Sequence, residues 1–448
     1  MIKDEFSKDI LNEATRYLQD LVRIDTTNPP GNERPAAEYI ADVLNREGII
    51  VDLLGAMEER KNLIARVLGD GSARPVLLVS HLDVVSAVAS EWDVHPFSGV
   101  LKNSFIWGRG AMDCKYRVVT HTMVLLLLKR NNIPLKRDVV IAACADEELG
   151  GFYGMKWLSE SYPEKVQAEF VLGEGGGGGV PAPGGKYSLI GCAERGSYKV
   201  FIKIRGNGGH SYKPRDDNAL LKLGEVLNSL KVHRLSHDIR PSARDAIKKI
   251  AEDQSSLLKE ELLALLHSDD PDITRIKELS PELAKWLEPT IFNTICPTMV
   301  QGGESPHCHP IKVELICNLR VLPGQDIAEI YSLLMDRFNG IDDIEIEMIE
   351  EAKPSESGID TSLYHMIDEM NKELNLGVKT VPWLLGGATD VRFLRSENST
   401  VYGFFPSVID LPYNVWNSIT HGINERISQE NLMFAIKYMY NLMKKICT

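Results

Sequence analysis

The chain has 448 residues, more than one hydrophobic core comfortably holds, so two or more domains are expected. Hydrophobic residues make up 44% and charged residues 25%, which excludes wholesale disorder. The formal net charge of −13 argues against nucleic acid or an anionic membrane surface as a partner, since both favour an excess of Lys and Arg.

From the N-terminus, Phe6, Ile10, Leu11, Tyr17, Leu18 and Leu21 recur at helical spacing and predict a helix over 4–24. Acids and bases alternate along it without an apolar signal core, so no secretory signal is expected. Strand-like runs follow at 62–67 and 76–80. A helix beginning around Tyr116 carries VVTHTMVLLLLKR, too short to span a bilayer and read as a core helix. Two more strand runs, 139–144 and 170–173, flank a short helix over 153–161. This alternation predicts an α/β fold: a mixed, mostly parallel sheet with helices on both faces.

The glycine-rich EGGGGGVPAPGGKYS from Glu174 fits no GxxxxGK[ST] register and reads as a flexible loop. Beyond it the pattern changes to the strand runs SYKVFIKIRG and KVELICNLRVLPG, with helical runs at 218–230 and 242–287 between them. Residues 192–325 are therefore predicted to form an inserted α+β domain whose charged 242–287 region is a solvated extension. The first domain then comprises 1–191 and 326–448, with helices near 327–338 and 429–445. Seven cysteines, an odd count without a CxxC pair, predict reduced thiols and a cytoplasmic location.

Four of the first domain's features end in groups able to bind a cation. His81 and Asp83 follow the run ending at Ser80; Asp113 follows a glycine turn; Asp146, Glu147 and Glu148 follow the run ending at Cys144; Glu174 follows Gly173. Each has an ordinary explanation alone: a hydrogen-bonded histidine, a helix cap or a solvated acidic face. Their joint occurrence at strand ends, where such sheets bind ligands, points to a shared cation site. Carboxylate and imidazole donors without thiolates suit zinc, cobalt or manganese, while calcium prefers oxygen throughout. Three carboxylate ligands and a hydroxide carry four negative charges, the balance for two divalent ions. A further carboxylate left unligated beside them is placed to accept a proton from water acidified by the ions.

The ordered motifs HLD, GRGAMDCK, ADEELG, LGEGG and HGINER, together with EWDVHPFSG and RVLPG, resemble the peptidase M20 family of co-catalytic zinc hydrolases. That family includes acetylornithine deacetylase, succinyl-diaminopimelate desuccinylase, aminoacylase-1 and glutamate carboxypeptidases, and the likeness runs over nearly the whole chain. The resemblance implies a catalytic domain with an inserted lid and dimerisation domain. It implies two divalent ions, zinc before cobalt or manganese, one held by His81, Asp113 and Glu174, the other by Asp113, Glu148 and His421. Glu147 is then the general base and acid, Asp83 orients His81, and a cis peptide joins Asp113 to Cys114. In GNGGHSYKP it makes His210 the group that stabilises the oxyanion, in part of the family from a partner subunit. In NLRVLPG it makes Arg320 the grip on a substrate carboxylate. In GGATDVRF, Gly386 and Gly387 let substrate approach the backbone, and Arg392 either holds a carboxylate or pairs with Asp390.

Three departures stand out. His307, in HCHP, replaces the family's Asn; Ser86 replaces a proline; and Tyr116–Arg117 replaces a glycine pair. None removes a ligand. The expected activity is hydrolysis of an amide in an N-acyl amino acid or short peptide bearing a free carboxylate, by a homodimer joined through the lid, with no nucleic-acid or membrane partner. Two alternatives stay open. A co-catalytic zinc aminopeptidase shares the ligand order but lacks the inserted lid, and a non-catalytic metal-binding protein would use the helical insertion for interaction.

Overall fold

The computed structural model describes residues 6–178 and 184–448; the first residues of the predicted N-terminal helix and the middle of the glycine-rich loop lie outside them. A nine-stranded sheet forms the centre, and its middle strands, Val139–Cys144, Val76–His81, Phe170–Gly173 and Thr400–Gly403, are parallel neighbours in that order. The strands at 76–81 and 139–144 are buried at every position, as strands covered on both faces must be, so they read as unbroken apolar runs.

One face is covered by helices Lys8–Arg23, Arg34–Asn45, Lys115–Arg130 and Gln429–Cys447, whose buried residues form the largest core. Helix Lys115–Arg130 is buried at every position from Val118 to Leu128, which explains why its sequence there is largely apolar all round. The other face is covered by the short helix Met155–Ser161 and the turn Asp390–Leu394. The described helices include none long and apolar enough to cross a membrane.

A second, five-stranded sheet is built from Gly196–Arg205, Arg234–His237, Phe292–Gly302, Lys312–Val321 and Ile344–Ala352. Its last strand corrects the predicted return to the first domain at residue 326. Ile330 and Leu334 of helix Ile327–Arg337, Phe338 just after it and Ile346 pack with Val200, Ile202, Leu315 and Leu319 in one core. That unit thus runs on to Ala352, and at its start Tyr187–Glu194 still belongs to the central sheet.

The 242–287 region is also corrected. It is not a solvated extension: Ala246, Ile247, Ile250, Leu262, Leu283 and Leu287 share a core with Tyr187, Leu189, Val381 and Trp383 of the central sheet. Trp286 lies over Trp383 with ring centroids 3.8 Å apart. Its charges mark only the outer faces of amphipathic helices, and their apolar stripes cover strand Lys379–Leu385.

Candidate metal centre

Three adjacent parallel strands deliver their acids and histidine to one edge of the sheet. His81 ends the central strand of the three, Glu147 and Glu148 lie in the turn after Val139–Cys144, and Glu174 follows Phe170–Gly173. Asp113 comes from the turn before helix Lys115–Arg130, where the Asp113–Cys114 peptide is cis. His421 arrives from near the chain's end with φ of 57°, in the left-handed region.

Two donor groups result, His81 with Asp113, Glu174 and Cys114, and Asp113 with Glu148 and His421; within each group the donor atoms lie within 4.8 Å of one another. Asp113 divides its oxygens between them: Oδ1 is 3.2 Å from His81 Nε2 and Oδ2 is 3.2 Å from His421 Nε2. Glu148 Oε1 is 3.2 Å from His421 Nε2, and Glu174 Oε2 is 3.7 Å from His81 Nε2. Burial opposes the charge on Asp113, yet hydrogen bonds from His421 and His81 hold its carboxyl well below the usual range. Hydrogen bonds to Asp113 and Glu148 raise His421 to about 10.

This donor set fits a pair of divalent ions. Carboxylate oxygens and imidazole nitrogens converge in two groups sharing one bridging carboxylate, and the buried Glu148 Oε1 faces the His421 imidazole, itself a candidate ligand. Cys114 is not needed as a ligand. Its Sγ accepts from the His81 N–H at 3.1 Å and donates to the His81 carbonyl at 3.3 Å, and burial pushes its thiol up to about 11.

Glu147 belongs to neither group. Burial, then the charge of Glu174, raises its carboxyl well above the ordinary range. Its position is set by Asp146, which adopts φ of 69° and turns the chain so that the Glu147 and Glu148 N–H groups both donate to Asp83, each at 3.1 Å. Asp83 therefore acts differently from the expected histidine partner. His81 Nδ1 is 3.0 Å from the Asp83 carbonyl, while the nearer carboxylate oxygen is 3.5 Å away and serves the acidic turn.

The reading of the sequence missed the groups that hold these side chains. Asn28 Nδ2 donates to both Asp83 and Asp146, and Arg60 pairs with Asp146 at 2.9 Å and with Glu33 at 2.7 Å, all with little exposure. Asp146, unexplained by charge alone, is thus the acceptor for a buried guanidinium, and it also takes the Tyr153 N–H. Glu425, in the HGINER motif, is fully buried and accepts from the N–H groups of Gly110, Met112 and Asp113 and from Arg109 Nη1. Arg109 also donates to the His421 carbonyl at 3.1 Å. This one ion pair ties ligands 308 residues apart, Asp113 and His421, into a single frame. The signal was present in the acid four residues after His421, but spacing does not reveal what it binds.

Glu425→Ala is expected to destabilise the fold by about 3–5 kcal/mol, because it leaves buried Arg109 without its counter-ion and three N–H groups without an acceptor. Urea unfolding of the two proteins measures it, and a loss under about 1 kcal/mol contradicts the frame.

The remaining predicted residues lie elsewhere. His210 is exposed in a two-stranded ribbon of Gly209–His210 with Cys308–His309, and His307 is exposed beside it. The described hydrogen bonds and ion pairs do not join either side chain to the donor groups. Arg320 sits on strand Lys312–Val321, with Nε on Asn318 Oδ1 at 2.8 Å. Arg392 donates to the carbonyls of Thr389 and Gly150, each at 2.8 Å, so of its two alternatives the pair with Asp390 is not formed. Asp390 is buried with both oxygens lacking a donor, and burial raises it to about 8. Gly386 and Gly387 have open space where a Cβ would stand, in the loop fixed by Glu194, which accepts the Thr389 N–H at 2.8 Å.

Residues 77–445 match peptidase family M20/M25/M40. The chain is 27% identical over 390 residues to the N-fatty-acyl-amino acid synthase/hydrolase PM20D1 of Mus musculus, covering 85% of this chain and 75% of that protein. It is 27% identical over 388 residues to the probable carboxypeptidase S-like 2 of Dictyostelium discoideum, covering 84% of this chain and 72% of that one. The fold is similar to that of the M20 family metallo-carboxypeptidase Sso-CP2 from Sulfolobus solfataricus, with a TM-score of 0.69 at 19% identity over 96% of this chain and 98% of that one. The chain belongs to peptidase family M20/M25/M40 and is a metal-dependent hydrolase.

Proposed function

We propose that the protein hydrolyses the amide bond of an N-acyl amino acid, or of a short peptide, that ends in a free carboxylate. The observation that carries this reading is a set of three arginines, Arg195, Arg320 and Arg392, that lack an ion-paired carboxylate among the described residues. Burial and the charge of Arg392 disfavour the Arg320 cation, which the nearby charge of Glu351 only partly offsets, and the buried Arg195 feels the charge of Arg320. None of the three forms an ion pair with the described residues, and Arg195 Nη2 meets only neutral acceptors: the Phe292 carbonyl, the Thr294 hydroxyl and the Arg320 carbonyl. Cationic groups gathered like this are stabilised by an anion, and a planar carboxylate matches the guanidinium fork. The similarity to an N-fatty-acyl-amino acid synthase/hydrolase supports this reading, since an N-fatty-acyl amino acid carries both the amide and the carboxylate.

His81, Asp113, Glu174, Glu148 and His421 would hold two divalent ions, zinc before cobalt or manganese, which when bound would supply the Lewis acidity that acidifies water and polarises the carbonyl. Glu147 accepts the proton from the attacking water and returns it to the leaving amine nitrogen. His210 donates to the carbonyl oxygen as negative charge develops there, which requires the lid to close on the sheet edge. Arg320 and Arg392 hold the carboxylate and so fix the scissile bond. We further propose a cytoplasmic homodimer joined through the lid. Met299 and Val300, 56% and 58% exposed, stand on the stretch of strand Phe292–Gly302 that strand Arg234–His237 leaves uncovered.

Arg320→Ala is expected to raise KM for an N-acyl amino acid about 10- to 100-fold, the worth of hydrogen bonds to a charged group. The matching N-acyl amino amide should be little affected. Steady-state kinetics on both substrates decide it, and an equal change for acid and amide removes the carboxylate role.

A further inference from the structure

Arg117 stands where the resemblance leads one to expect glycine, in the first turn of helix Lys115–Arg130. Its Nη1 donates to Glu174 Oε2 at 2.6 Å, and both side chains are 17% exposed. That oxygen is also the one facing His81 Nε2, at 3.7 Å. The guanidinium cannot easily withdraw: its Cζ lies 5.5 Å from the Phe405 ring centroid and 5.9 Å from that of Tyr116. Phe405 in turn packs edge-on against Tyr116, with centroids 5.1 Å apart. Arg117 Nε is buried without a hydrogen-bond partner, so the side chain is held by packing and by Glu174. The second donor group has no such neighbour: among the described residues, no lysine or arginine pairs with the side chains of Glu148 or His421.

We propose that Arg117 is a positioning residue that makes the two ion positions unequal. A fixed positive charge on Glu174 repels a divalent ion at His81, Asp113 and Glu174, and shares the oxygen that ion needs. The position at Asp113, Glu148 and His421 feels Arg117 less, because, of its three side chains, only the shared Asp113 feels the guanidinium's charge and none is ion-paired to it. The first ion therefore fills the His421 side, and the ion on the His81 side binds more weakly and exchanges. Two effects of Arg117 compete. Orienting Glu174 favours the ion, as outer hydrogen-bond partners of metal ligands do. Repulsion disfavours it, and between a single and a double charge a few ångströms apart in a partly buried site it dominates, at about tenfold or more in affinity. The inference rests on the metal-centre reading given above.

The test is calorimetric titration of chelator-stripped protein with cobalt chloride, for wild type, Arg117→Gln and Arg117→Lys, with thermal melts checking that each is folded. Gln keeps a hydrogen-bond donor without the charge; Lys keeps the charge. Wild type and Arg117→Lys are expected to show two steps separated by at least about tenfold, and in Arg117→Gln the weaker step tightens by about tenfold or more. Glu174→Gln should abolish the weaker step and Glu148→Gln the tighter one. An Arg117→Gln isotherm equal to wild type, or a weaker one, overturns the role of Arg117 while leaving the metal centre intact. A wild-type protein that takes up no cobalt overturns both.

Discussion

Replacing Glu147 with Gln is expected to lower kcat/KM by about two to four orders of magnitude, the range ascribed to general acid–base catalysis, without changing the bound metal. Glu147 lies outside both donor groups, so its loss removes no ligand. The substitution is nearly isosteric, and the backbone N–H that joins the turn to Asp83 is untouched. Metal analysis beside steady-state kinetics checks both halves of the expectation. Retained turnover would show that another group moves the proton, and the unpartnered, buried Asp390 is the next carboxylate to substitute.

Asp113→Asn should do more damage to the metal centre than any other single change. Each Asp113 oxygen faces a different histidine, 3.2 Å away, and an amide keeps only one of those oxygens. Bound metal should fall from two ions per chain to one or none, and activity should fall as far as in Glu147→Gln. The fold itself should survive, because Glu425 holds this turn through the N–H groups of Met112 and Asp113, which the substitution leaves in place. A variant retaining two tightly bound ions would contradict the bridging role of Asp113, and a variant that unfolds would show that the acid's charge stabilises the turn.

Much of this was legible in the sequence, for a physical reason. Buried parallel strands read as unbroken apolar runs, and the polar residues that follow each run mark the sheet edge, so His81, Glu174 and the acidic run Asp146–Glu148 could be placed at one site without coordinates. What a residue packs against is not written locally. The stripe of Ile330, Leu334 and Phe338 signals a buried helix face but not which sheet buries it, so the end of the lid is not legible there. The charges of the 242–287 helices likewise concealed the stripe that covers Trp383. Arg60 and Asp146 lie 86 residues apart, and neither alone differs from a surface charge. Arg117 was visible as a departure from pattern, but its meaning required the 2.6 Å contact with Glu174.

The proposed choice of amides that carry a free carboxylate is tested most directly by hydrolysis of a matched pair, an N-acyl amino acid and its amino amide, by zinc-, cobalt- or manganese-loaded protein before and after chelation. The account predicts cleavage of the acid at least about tenfold faster than of the amide, abolished by the chelator and restored by added metal. Equal cleavage of the two substrates, or cleavage that survives removal of the metal, would contradict it.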